Sequence, residues 1–305
     1  MGKEEFKNPH PELPVREPIL KLGKMITDRV PIKLGFEKLT ADSPEYWGLA
    51  PICTDEQANI ALKMGVRKPK TLKQMVQITG MDEKELEKQL EQMSFNGLLE
   101  YNWENPQHEK QYVLPMFVPG SAEFTNMNST VLEEHPEMGR FFERMSRLPL
   151  EKITPMVPPG GAGIGMHVIP VEKAIDMNNE AISLEKISYW LDKYDGKYAA
   201  SPCSCRKSRK TYDEGCADDP EDWCIAVGDM ADYVVETGKG GHYITKHLRY
   251  SRRLKTMVLF TRLLILTDRT RYLLYVTVML MSVMHLEHRS YLTHLICHVR
   301  HMLPR

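Results

Sequence analysis

The sequence predicts an α+β chain that carries a small cysteine-rich metal module. Three observations lead there. Two amphipathic helical runs between residues 72 and 93 are followed by two strand-like runs, 96–103 and 110–117. Four of the six cysteines fall in the 22 residues from Cys203 to Cys224. The composition also breaks near Lys246, because residues 1–246 hold all 19 glycines and residues 247–305 hold none.

The bulk numbers set bounds. A chain of 305 residues is long enough for two small domains. Its net charge of -1 gives no sign of a nucleic-acid partner. The opening MGKEEFKNPHPELPVREP is charged and proline-spaced, without the apolar core that secretion needs, so a cytoplasmic, reducing location is expected. In such a compartment clustered cysteines point to metal ligation before a disulfide framework.

Residues 1–45 read as an extended leader ending in a short helix, PILKLGKMITDRV. SPEYWGLAPICTDEQANIALKMG reads as a helical stretch. TLKQMVQITG follows as a short helix with Leu72, Met75 and Val76 on its apolar side and a Thr-Gly exit. In MDEKELEKQLEQM, Met81, Leu86, Leu90 and Met93 share one face, and Asp82 stands near its start. NGLLEYNW and KQYVLPMF then read as strands around the turn ENPQHEK. Helices followed by a β-hairpin in this order, over 46–118, resemble a winged helix-turn-helix. The last helix carries Asp82, Glu83, Glu85, Glu87 and Glu91 against Lys84 and Lys88. Phosphates would repel it, which favours packing or protein contact over DNA binding. The basic run VRKPKTLK is the one feature on the side of DNA.

Residues 119–200 read as a linker with helices. HPEMGRFFERMSRLPL supplies one helix and LEKISYWLDKYDG an amphipathic second. PPGGAGIG lacks the Gly-Lys-Ser/Thr of a phosphate loop, and MHVIPVE after it looks like a strand, so a flexible loop is expected there.

The segment 201–246 holds the candidate site: Cys203-x-Cys205, ten residues, Cys216, seven residues, Cys224. Thiolates suit zinc or an iron–sulfur cluster. Zinc knuckles usually pair ligands as C-x-x-C, whereas C-x-C with long unequal gaps suits a larger object. The basic run Arg206, Lys207, Arg209, Lys210 would lower thiol pKa values and offset a cluster's negative charge. Trp223 could shield the metal from water. An iron–sulfur cluster, of 4Fe-4S type, is the expected cofactor, with structural zinc and no metal as the alternatives. Cys53 reads as a buried small residue, and Cys297 lies in the anomalous tail.

SPCSCRKSR…GC…WC followed by GKGGHYITK resembles the amino-terminal part of large anaerobe oxidoreductases of the FAD-dependent, pyridine nucleotide-disulfide type. The likeness covers about 40–246. It implies a winged-helix-like leader, a cysteine-rich iron–sulfur region whose ligands are Cys203, Cys205, Cys216 and Cys224, and FAD- and NAD(P)-binding domains. Nothing in this chain matches the flavin and nucleotide domains, so an electron-relay role without turnover of its own is expected, with a redox protein or those flavin domains as partner. A metal-sensing winged-helix regulator and an interaction protein with structural zinc are the competing expectations.

The tail departs from that family, in which HYIT opens a helix and further cysteines follow. Residues 247–305 instead carry six of the 11 histidines, nine arginines and two acids, Asp268 and Glu287. Shifting the reading frame by one base near codon 246 permits a run of an amphipathic helix, a polar turn and a C-x-C-x4-C motif. A frameshifted tail over 247–305, ending the family likeness, is therefore the expectation. A membrane role fails on length. The longest clean apolar run, Tyr272 to Met284, has 13 residues, whereas a spanning helix needs about 20.

Overall fold

The computed structural model describes residues 7–27, 39–117, 120–140, 194, 197–204, 207–208, 211 and 224–244, and the backbone of 166–169, 259–264 and 278–279. Mixed helix and small antiparallel sheets make it an α+β chain. It divides into two compact units: residues 1–146 with 233–240, and 147–232 with 241–305.

In the first unit, α1 (Glu17–Thr27) places Ile19, Leu22 and Ile26 on one fully buried face, at the spacing of a helix stripe. It packs on α2 (Pro44–Trp47) and α3 (Asp55–Met64). Arg16 ties its start to them, donating to the Asp55 carboxylate at 2.7 Å and to the carbonyls of Ala50 at 2.9 Å and Cys53 at 2.7 Å. The expected single helical stretch over 43–65 is thus two helices. Residues 48–54 interrupt it, and Thr54 with Gln57 forms a reciprocal capping box that restarts the helix.

The next elements follow local rules closely. A short β1 (Lys70–Thr71) leads into α4 (Leu72–Thr79), which a second capping box, Thr71 with Gln74, begins and a left-handed Gly80 ends. Asp82 accepts from the backbone N–H groups of Lys84 and Glu85 to start α5 (Glu83–Phe95). Leu86, Leu90 and Met93 are buried, as the apolar face predicts. Then β2 (Glu100–Asn102) and β3 (Gln111–Val113) pair antiparallel with Tyr101 opposite Tyr112, and β1 joins on the far side of β3 to give the order β1-β3-β2.

The stretch after Gly120, read as the start of a linker with helices, is helical and packed into the first unit. In α6 (Ser121–Met127) every residue is buried, and α7 (Ser129–Glu134) follows at once. Gly97, at φ 88°, lets the α5–β2 turn lie directly on α6, since a Cβ there would stand 2.4 Å from the Thr125 nitrogen. Thr125 Oγ1 donates to the Asn96 carbonyl at 3.0 Å and Asn128 Nδ2 to the Phe95 carbonyl at 2.8 Å.

Residues 233–240 complete this unit; they include the second half of α8 (Asp229–Glu236). Tyr233 stands edge-on to Tyr101 and Phe124, at 5.2 and 5.0 Å between centroids, and donates its hydroxyl to the Leu99 carbonyl at 2.7 Å.

In the second unit, β4 (Met166–Ile169) falls where MHVIPVE was expected to be extended, and pairs antiparallel with β8 (Leu259–Leu264). A separate sheet of order β6-β5-β7 joins β5 (Tyr198–Ser201), β6 (Cys224–Val227) and β7 (His242–Ile244), all antiparallel. β7 is a strand where the family resemblance implies the opening of a helix; pairing with β5 fixes its backbone extended. β8 and β9 (Val278–Met279) lie in the stretch assigned to a shifted frame. The expected helix over 184–196, the glycine loop 158–165 and Cys297 lie outside the described residues, apart from Tyr194. Among the described residues no helix is long and apolar enough to cross a membrane.

Candidate metal centre

The candidate site grows out of β5 and β6. Both strands are buried along their whole length, so their alternate side chains meet protein on both faces. Their register runs from Tyr198 opposite Val227 to Ser201 opposite Cys224. The ladder therefore closes the connecting segment 202–223 at its base, with the Cα atoms of Ser201 and Cys224 ~4.5–5.5 Å apart, as direct partners are. Cys203 follows Ser201 by two residues, at most ~7 Å of chain further. Thus one cysteine stands at each end of the connection, and Cys205 and Cys216 lie within it by sequence.

Cys203 is 2% exposed and Cys224 5%. Both are thiols rather than disulfide sulfurs. Beyond Cys203 the chain takes a helical turn: Lys207 N–H donates to the Cys203 carbonyl at 3.0 Å, and Thr211 N–H to the Ser208 carbonyl at 3.1 Å. Ser204, Lys207 and Ser208 in this turn are buried. Burial of a lysine, a residue usually exposed, puts a cation into the same loop as the thiols.

The other end of the ladder, past the Tyr198–Val227 pair, is held by charge. Lys197, just before β5, bridges Asp229 at 2.9 Å and Asp232 at 2.5 Å at the start of α8. Burial works to lower the Lys197 ammonium, but hydrogen bonds and attraction from the two carboxylates outweigh it and hold the pKa above its ordinary value.

Of the four expected ligands, the fold brings the ends of Cys203 and Cys224 to one strand pair; Cys205 and Cys216 lie outside the described residues, as do Arg206, Arg209, Lys210 and Trp223. Among the described residues no group of three or more His, Cys, Asp or Glu side chains is arranged to hold a metal ion. Cys53 stands apart in the first unit, 3% exposed, its thiol donating to the Thr54 carbonyl at 3.4 Å. Burial pushes that thiol up to about 12, against a lesser opposing pull from Arg16. It is a small core residue without a ligand's chemistry.

Sequence reasoning missed Ser201. Its side chain is fully buried and its Oγ has no hydrogen-bond partner among the described residues. Only the register, which sets it opposite Cys224, gives it a place in the site. No protein-family model, curated protein or solved structure matches this chain.

Proposed function

We propose that residues 201–224 hold an iron–sulfur cluster, with Cys203, Cys205, Cys216 and Cys224 as its ligands. The module would relay electrons for an NAD(P)H- and FAD-dependent oxidoreductase assembly. The observation that carries this reading is the β5–β6 ladder, which anchors both ends of a four-thiol loop at one place and buries Cys203 and Cys224 there. The donor set suits the group. All four candidate ligands are soft sulfur, and a buried lysine in the loop would offset the negative charge of a thiolate-bound cluster. When bound, such a cluster takes up and releases one electron at a time. A nicotinamide gives a hydride, so a flavin-bearing partner must stand between the two.

The same proposal treats 46–118 as a winged-helix-like module used for protein contact. The helix order α3, α4, α5 followed by a hairpin, with strand order β1-β3-β2, supports it. Asp82 at the cap of α5, and Glu83, Glu85 and Glu87 on it, are exposed, which opposes docking on phosphates. That weighs against a DNA-binding regulator.

Elemental analysis of the anaerobically purified chain tests the reading. Equal amounts of iron and acid-labile sulfide support it. Stoichiometric zinc without iron overturns it in favour of a structural zinc module.

A further inference from the structure

Ser201 is a polar residue in a strand buried on both faces, and its hydroxyl has no hydrogen-bond partner among the described residues. An unsatisfied buried hydroxyl is destabilising, so one held at a strand end calls for a physical reason. Its location supplies one. Ser201 and Cys224 are direct partners across the ladder, so their side chains rise from the same face with Cβ atoms ~4.5–5.5 Å apart. Rotation about the Ser201 χ1 bond sweeps the hydroxyl through the space beside the Cys224 sulfur. Ala199 and Ala200 before it and Ile225 after Cys224 carry no acceptor side chain.

We infer that Ser201 is a positioning and tuning residue for the metal centre: its hydroxyl donates a hydrogen bond to the Cys224 sulfur when that sulfur is a metal-bound thiolate. This rests on the iron–sulfur reading and adds a residue to it. A neutral thiol is a weak acceptor, whereas a ligating thiolate carries the charge that makes an O–H···S bond strong. Reduction adds one electron to the cluster and makes its sulfurs more negative. A donor fixed beside one of them therefore favours the reduced form and raises the potential.

The test is a spectroelectrochemical titration of the full chain and of Ser201→Ala, both reconstituted anaerobically with iron and sulfide, alongside their metal content. Ser201→Gly removes the same hydroxyl and serves if the alanine chain does not fold. Ser201→Thr keeps it. The expected result is unchanged iron and sulfide in all the chains. The alanine or glycine variant should have a lower potential, about tenfold in the reduction equilibrium or ~59 mV for a one-electron couple, and the threonine variant should return it. An exchangeable deuteron coupled to the reduced centre, seen by electron–nuclear double resonance in D2O, should be lost with the hydroxyl. Wild-type iron content with an unchanged potential and an unchanged deuteron coupling in the alanine variant overturns the role of Ser201 and leaves the cluster reading standing. A wild-type chain that takes up no iron and sulfide overturns both.

Discussion

Lys239 closes the end of α5, with its Nζ 2.7 Å from the Phe95 carbonyl and 2.9 Å from that of Ser94. A third bond goes to the Thr237 carbonyl at 3.1 Å, and the ammonium lies 5.1 Å from the centre of the Tyr233 ring. The side chain is fully buried, and burial drives its pKa well below the ordinary value. A donor at this end satisfies carbonyls that the helix leaves over. Lys239→Met keeps the length and removes the donor. It should destabilise the chain by about 1–3 kcal/mol, the cost of orphaned buried acceptors. Amide exchange across 233–240 should rise with it. Chemical denaturation and hydrogen exchange check both; exchange unchanged over that segment would refute the latch.

Glu123 gives a pH dependence whose sign follows from burial. Its carboxyl, within fully buried α6, is raised from 4.5 to about 7 by desolvation, against the opposing Gly120 N–H, which donates to Oε2 at 2.7 Å. The folded state therefore holds a proton that the unfolded state has released between pH 4.5 and 7. Its contribution to stability is complete below 4.5 and is lost as the pH rises through about 7. The span is about 3 kcal/mol at most. Glu123→Gln keeps an acceptor for Gly120 and removes the titration. Melting temperatures between pH 5 and 8 should fall more steeply for the wild type than for the variant.

Gly97 and Gly80 separate two reasons for a glycine. Both have positive φ, 88° and 74°, but a Cβ on Gly80 meets nothing within 4 Å, whereas one on Gly97 meets the backbone of α6. Gly80→Ala should cost only the left-handed strain, ~1–2 kcal/mol. Gly97→Ala adds overpacking of ~1–3 kcal/mol. Denaturant midpoints of the two variants should therefore differ in that order, and equal losses would contradict the close approach.

Cys53 should be chemically silent. With its thiol raised to about 12, the nucleophilic thiolate is scarce at pH 8. Iodoacetamide should label it at least ~100-fold more slowly in the folded chain than after unfolding. Cys53→Ala should leave the metal content unchanged. Peptide mapping by mass spectrometry reads the first, and elemental analysis the second.

The first 117 residues were the most legible, because local rules act there one at a time. Asp82 before an acidic first turn and Gly80 after a periodic run each place a helix end without tertiary help. The strands around 104–110 followed from β-rich runs separated by turn residues. What was not legible depends on packing. α6 is SAEFTNM, whose Ser, Glu, Thr and Asn look like a surface loop, yet all are buried, and Thr125 and Glu123 find backbone partners. Periodicity cannot see a polar helix that packing buries on every side. Likewise YAAS and CIAV, four residues each, are too short for a strand pattern, and their pairing is a long-range event. The cysteine spacing marked a site, but the register that sets Ser201 against Cys224 belongs to the sheet alone.

The most direct test of the central claim is Mössbauer spectroscopy of the full chain, loaded with iron-57 and inorganic sulfide under anaerobic conditions, beside Cys203→Ser and Cys224→Ser. The account predicts sulfide-bridged iron in tetrahedral sulfur coordination in the wild type, and its loss or weakening in each variant. Iron that stays mononuclear, or a wild-type spectrum that both substitutions leave untouched, would contradict it.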